Sequence, residues 1–235
     1  LFNFDSLSFV LLNKSNDVTL VEEGKMKNLK GLALFAMTLA LGLGSTAAFG
    51  YGMGISTFPL QEEQKVLSAE VTGIVHNGTG VGLQARYTQK LTTKSVVDAG
   101  AGIAGGARSA RLFAGYDYEL FPDYDVQPRT SLKGFVENSK EFGTRRNIVG
   151  VAPTVSKGFD FWGHEAFPYL SLPYGISLDG KKNSYQTTLS ANIGISGTIA
   201  PEYAMTSKPV TANAEVIVGL KDSFSGVFVG FGYPL

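Results

Sequence analysis

The chain has no cysteine. That excludes disulfide stapling, thiolate zinc sites and thiol redox motifs. It has no excess charge either. Lys plus Arg and Asp plus Glu number 20 each, so no basic footprint points to nucleic acid. Histidine occurs only as His76 and His164, and tryptophan only as Trp162. Beyond Ala48 no uncharged run is long enough to cross a membrane as a helix, which takes about 20 residues. Any membrane span there has to be a closed barrel, because only helices and closed barrels satisfy their own backbone in lipid. Helical periodicity, low-complexity tracts and a fixed-period repeat are also missing after Ala48.

What the chain does have begins at Met26. Met26-Lys27-Asn28-Leu29-Lys30 is basic, residues 31–44 are uncharged, and Ser45-Thr46-Ala47-Ala48 supplies small residues. This is the order of a secretory signal peptide, cleaved after Ala48 or after Ala47. Residues 1–25 precede it and lack a starting Met. Their last residues, Glu22-Glu23-Gly24-Lys25, require purine-rich codons of the kind found in a ribosome-binding site. The expected organisation is therefore a leader over 1–25 that is not native protein, a signal peptide over 26–48, and one domain over 49–235.

From Phe49 onward apolar and polar residues alternate with the period of a β-strand. Val81, Leu83, Ala85 and Tyr87 oppose Gly82, Gln84, Arg86 and Thr88. Val97, Ala99, Ala101 and Ile103 oppose Asp98, Gly100 and Gly102. The same holds over 110–119 (Phe113 excepted), 185–195 and 210–220, and over the terminal run Val227 to Tyr233. Segments 49–57, 67–75, 130–138, 147–157 and 166–177 alternate less cleanly, and Pro153 and Pro168 mark bulges or interruptions in two of them. Turn residues separate the runs, as at Asn77-Gly78 and Leu178-Asp179-Gly180.

The expected fold is all-β: an antiparallel up-and-down transmembrane β-barrel of about 10–12 strands. About eleven segments qualify, whereas single-chain bacterial barrels have even numbers. Either 49–57 is not a full strand or one strand is missed. Connector lengths alternate in the wrong phase for a chain that ends in the periplasm. A soluble β-protein would reverse the two faces. Against it stand polar faces rich in Ser, Thr, Asn, Gln and Gly, and aromatics near strand ends (Tyr51, Tyr87, Tyr116, Tyr118, Phe231 and Tyr233).

Met26–Ala48, the alternating segments and the terminal strand together resemble the small outer-membrane β-barrel proteins of Gram-negative bacteria. The chain departs from that class at its end, where Pro234-Leu235 follow the aromatic Tyr233. The resemblance implies export through the inner membrane by a cleaved signal peptide and residence in outer-membrane lipid. It also implies delivery by the barrel-assembly machinery.

Within such a barrel, Arg86, Asp98, Arg111, Asp117, Glu119, Lys133, Glu137 and Glu215 would line the lumen. Their mixed signs suggest salt bridges that plug it. Ala99 and Ala101, and separately Ala212 and Ala214, would make smooth outer patches suited to a homo-oligomer interface. Trp162, Phe231 and Tyr233 would sit at the membrane interface.

No catalytic, cofactor or metal residue is expected. Gly100-Ala101-Gly102-Ile103-Ala104-Gly105 matches G-x-G-x-x-G, but a strand follows it where a dinucleotide site needs a helix. His164, Glu165 and Asp160 are the one set resembling a rim active site, and a solvated or interfacial loop explains them better. The expected role is structural or passive pore-forming, with self-association in the sense that the alanine patches suggest. The alternatives are surface binding through loops such as Phe121–Arg129, a barrel enzyme using His164, and a soluble periplasmic β-protein.

Overall fold

Period-two alternation leaves each strand with one apolar and one polar face, and closing the sheet hides every backbone edge. The computed structural model does this. It describes residues 52–76, 80–105, 108–141, 143–161, 164–179, 184–200, 204 and 208–235. The segments expected to be a leader and a signal peptide, together with Tyr51 and Trp162, lie outside these residues.

The strands run in order β1 (Lys65–His76), β2 (Gly80–Thr92), β3 (Ser95–Ala104), β4 (Arg108–Phe121), β5 (Arg129–Glu141) and β6 (Thr144–Ser156). They continue as β7 (Phe159–Phe161), β8 (His164–Ser171), β9 (Tyr174–Asp179), β10 (Ser184–Ile199), β11 (Val210–Lys221) and β12 (Ser225–Pro234). Each pairs antiparallel with its sequence neighbour from β1 to β6. β12 pairs with β11 on one side and β1 on the other, and β11 pairs with β10, so the sheet closes. β8 and β9 share one position, both lying between β6 and β10. The wall therefore has ten positions, an up-and-down closed barrel, with β7 folded back on β8 as a short arm.

Proline explains the divided position. Tyr174 pairs with Val151 and Ser171 with Thr154, so Leu172-Pro173 faces Ala152-Pro153. Neither proline can donate there, and the ladder narrows to Leu172 N–H on the Pro153 carbonyl at 3.0 Å. Side-chain facing still alternates through the break: Ser171, Pro173 and Gly175 are buried, and Leu170, Leu172 and Tyr174 are exposed. Pro153 itself stays inside a continuous β6, and Pro168 inside β8. The interruption falls on Pro173 instead.

The segment 49–57 is not a strand over its described part. Gly54–Thr57 is one turn of 3-10 helix, entered through Gly54 at φ +62°. That backbone region suits glycine and breaks an extended run. Residues 52–57 are buried on every side. The strand count resolves to ten wall positions because this segment leaves the wall and enters the barrel.

Lys65 and Pro234 mark one rim, called near; the opposite rim is far. Connections at the far rim are two to four residues long. Those at the near rim reach ten residues, between β10 and β11, and include the β7 arm. Most of the long connections thus lie at one rim and the short ones at the other, the arrangement of long loops opposite short turns seen in outer-membrane barrels. At the near rim the 122–128 loop is fastened by Asp123, which pairs with Lys157 and accepts Gly158 N–H at 2.7 Å.

Inside, three apolar clusters stack along the axis. Ile55, Leu60, Val66 and Val96 close the near end, and Ile74 with Phe224 closes the far end. Met53, Phe113, Phe135, Ile148, Ala152 and Tyr169 lie between.

Candidate functional site in the barrel lumen

Inward positions on β1 to β5 carry most of the barrel's buried charge. Arg86 and Lys133 are fully buried, and Glu70, Asp98, Arg111, Asp117 and Glu137 nearly so. Burying an unpaired charge costs several kcal/mol. Here they are paired. Arg86 bonds Glu70 at 2.8 Å and also bonds Asp98. Lys133 reaches the same Asp98 at 2.9 Å. Gln84 donates to Glu70 and accepts from Arg111 at 2.9 Å, and Arg111 bonds Glu137 at 2.9 Å. One network thus runs from Lys133 to Glu137.

Its geometry follows from register and from glycine. Arg86 stands opposite Gly100, and Arg111 opposite Gly102. A Cβ on Gly100 would overlap the Phe113 ring, and one on Gly102 would lie 2.7 Å from the Gln84 Cβ. The bare β3 backbone makes room for the Phe113 ring between two guanidiniums, Arg86 at 4.6 Å and Arg111 at 4.5 Å. Cation–π contacts of this kind grow stronger when desolvated. The G-x-G-x-x-G match is therefore a smooth strand, followed by β4 as its alternation implies. A second group sits toward the near rim, where Arg129 binds Asp117 at 2.9 Å and Glu119 at 2.8 Å.

Across the lumen, Glu215 on β11 has different company. It accepts Tyr169 O–H at 2.6 Å, Asn192 Nδ2–H at 2.6 Å and Met53 N–H at 2.9 Å. Asn213 Nδ2–H donates to the Tyr169 oxygen at 3.1 Å.

Residues 52–60 fill the space between these two walls. Arg86 donates to the Gly52 carbonyl at 2.9 Å and to the Met53 carbonyl at 3.4 Å. Lys133 donates to Ser56 Oγ at 3.2 Å, and Ser56 O–H turns back to the Met53 carbonyl at 2.7 Å. Thr57 lies 3.5 Å from Ser196 Oγ. Phe58 packs edge-on to Phe167 where the segment leaves the lumen. A stopper drawn from the chain itself therefore occupies the barrel and touches both walls.

The eight sequence-derived lumen residues all point inward, Glu119 the least buried of them. Seven belong to the two charge groups; Glu215 stands apart from both. Alternation put Gln84, Asn192 and Asn213 on the same face as the lumen charges without naming them as lumen residues; Glu70, Arg129, Tyr169 and the stopper were not placed by pattern. Glu70 could have been, since its parity on β1 matches that of buried Ser68 and Thr72. The stopper could not, because nothing in a short uncharged segment announces that it will be swallowed.

On the outside, Ala69, Ala85 and Ala101 form one row across β1 to β3, with the Ala99–Ala114 pair beside it. Ala212 and Ala214 make no such tile, because Phe231 and Val229 stand opposite them. Phe231 and Tyr233 are exposed on β12. Tyr87, Tyr116 and Tyr118 continue that aromatic band along the near-rim half of β2 and β4. His164, Glu165 and Asp160 are exposed on the β7–β8 arm, with Asp160 opposite Glu165 and His164 opposite Phe161. His76 is exposed at the far end of β1.

No protein-family model and no curated protein matches the chain. Among solved structures it is similar to one described as "De novo design of transmembrane beta-barrels". Identity is 12% and the TM-score 0.37, over 76% of this chain and 100% of the other.

Proposed function

We propose that this chain is an integral outer-membrane β-barrel with a closed lumen and a structural, non-catalytic role. The observation that carries this reading is inverted polarity. A soluble barrel turns its apolar faces inward. Here Leu83, Ile103, Leu112 and Val149 face outward at 59–70% exposure, while Arg86 and Lys133 are at 0%. Such residues occur all round the wall, from β1 to β12. A continuous apolar belt far exceeds the few hundred Å² that soluble monomers expose. Lipid removes that penalty. The aromatic band fits an interfacial girdle, with ring edges in lipid and hydroxyls near headgroups.

The signal peptide read over 26–48 supplies the export step, and the filled lumen favours closure over conduction. Cell fractionation with heat-modifiable gel mobility tests the membrane part: an unshifted, soluble periplasmic protein would refute it. Planar-bilayer recording tests closure, with steady KCl conductance by the folded chain as the opposing result.

The alanine tile on β1 to β4 favours a second element, self-association. Small side chains allow another surface to approach closely. Replacing Ala99 and Ala101 by Leu should reduce the oligomer size in detergent; unchanged size removes this element and leaves the closed barrel standing.

A further inference from the structure

We propose that the outer face of β5 and β6 at the far rim binds one anionic phospholipid, its phosphate held between Lys140 and Arg145. The inference rests on the membrane reading above.

Charge and register make the case. Lys140 stands directly opposite Arg145, and both side chains are exposed. Like charges directly opposite on an antiparallel pair repel. Among the described strand pairings this is the one in which two cations face each other. The other like-charge pair in register, Asp160 and Glu165, is acidic and lies on the near-rim arm. Among the described residues neither Lys140 nor Arg145 has an acidic partner. The acids close by stand elsewhere in register, Glu141 opposite Arg108 and Asp179 opposite Arg146. The sheet has brought two cations together without supplying their anion.

Depth fits a lipid headgroup. From mid-wall to far rim this outer column reads Val136–Val149, then Asn138–Asn147, then Lys140–Arg145. Each row is two residues beyond the last, about 7 Å along the strand and about 5 Å in depth at the tilt of a membrane barrel. With the hydrocarbon edge at the asparagine row, the cations fall inside the headgroup layer, which is about 5–7 Å deep on each side.

The asparagines are the second observation. Asn138 Nδ2–H donates to Asn147 Oδ1 at 2.6 Å. Leu112 and Leu178 flank the two in register. A polar pair thus notches the far margin of the apolar belt, directly beneath the two cations. An acyl chain can lie on Val136 and Val149, which are exposed, with its ester beside the asparagines and its phosphate at the cations. Arg145 offers that phosphate a fork of donors and Lys140 a point charge. Free phosphate would use only the cation row. Phosphatidylcholine would set its own cation against the pair, whereas phosphatidylglycerol carries none.

The test is native mass spectrometry of the chain extracted from membranes in a nonionic detergent, with heat-modifiable mobility as the check on folding. Phosphatidylglycerol and phosphatidylcholine of equal acyl chains are the probes. Each cation at an anionic headgroup contributes about fivefold. The unsubstituted chain should therefore bind one phosphatidylglycerol about 25-fold more tightly than phosphatidylcholine. Lys140→Gln with Arg145→Gln should abolish that preference, and Arg145→Gln alone should cut it about fivefold. Lys65→Gln with Lys94→Gln removes the same charge from exposed near-rim positions and should leave the preference standing. Equal binding of both lipids by the folded chain overturns the proposal. So does a preference that survives the loss of Lys140 and Arg145, or one that falls as far with the near-rim pair. Displacement of the lipid by an equal concentration of inorganic phosphate overturns the lipid assignment in favour of a free anion. If the double variant shows no heat shift, Arg145→Gln decides. A chain that shows no heat shift in any form overturns the membrane reading, and the site falls with it.

Discussion

The two halves of the lumen wall are made of different chemistry. β1 to β5 present Glu70, Arg86, Asp98, Arg111, Asp117, Arg129, Lys133 and Glu137. β6 to β12 present Ser, Thr, Asn and Gly together with Ile148, Tyr169, Ile217 and Phe228, and among their described buried residues Glu215 is the one carboxylate, with no Lys or Arg. The charged half fills its own volume with long side chains that neutralise one another. The neutral half sets short polar side chains between a few large apolar ones, and the stopper packs against both halves: Met53 clusters with Phe113, Phe135, Ile148 and Tyr169, and Ile55 with Val66 and Val96. A Cβ on Gly232 of β12 would lie 3.3 Å from Ile55 Cδ1. One wall thus supplies paired charge and the other mainly neutral partners. The stopper joins them, taking its carbonyl partner from Arg86 and its N–H partner from Glu215.

The sharpest way to break this contrast is to take one cation from the charged wall. Arg86→Met keeps bulk but leaves Glu70 and Asp98 short of a partner and frees the Gly52 carbonyl. A broken buried pair costs about 3–5 kcal/mol, and urea unfolding in detergent should show a loss of that size. A loss under 1 kcal/mol would mean that the wall relaxes around the missing charge.

The next effect should ignore the contrast altogether. Leu112→Arg lies on the outside of the charged wall and Val216→Arg on the outside of the neutral one. In a lipid-facing belt each costs about 2–4 kcal/mol near mid-depth. Reversible unfolding in lipid should give similar values for both. A near-zero cost at either site would mark a gap in the belt.

On the neutral wall, Glu215→Gln turns one acceptor into a donor facing Tyr169, Asn192 or Met53. A buried hydrogen bond left unmade costs about 1–3 kcal/mol, so the loss should fall below that of Arg86→Met. Amide exchange at Met53 should quicken in parallel. An equal or larger loss would show that the neutral wall holds the stopper more firmly than the charged one.

The smallest effect lies where the two walls meet at the near rim. Partial burial would raise the Asp123 carboxyl, but the Lys157 ammonium and the Gly158 N–H outweigh it and hold it below the usual carboxylate range. Its folded value is lowered, so the clasp is fully present above the unfolded value near 3.9. It is lost as pH falls through the folded one. Asp123→Asn should raise proteolysis of the 122–128 loop at neutral pH and abolish any further rise in acid. As a partly exposed pair it should change global stability by less than about 1 kcal/mol.

Much of this was legible without coordinates. Alternation marked β2, β3, β4, β10, β11 and β12 and put their charged residues on the inward face, because period two leaves a side chain only two directions. Phe113 broke the pattern for a reason that pattern cannot supply: it lies between Arg86 and Arg111, which are 25 residues apart in the chain. The divided β8–β9 position was hidden because Pro168 and Pro173 look alike in sequence. Only the partner strand decides which one lacks a donor opposite it.

By itself, then, the sequence determined the strands, their two faces and the absence of a thiol or a spanning helix after Ala48. These depend on local periodicity and composition. Tertiary structure decided the ten wall positions, the partners of each buried charge, and the fate of residues 52–60. Ion pairs depend on register between strands distant in the chain. A stopper depends on a cavity that exists only once the sheet has closed, so no local pattern could have encoded it visibly.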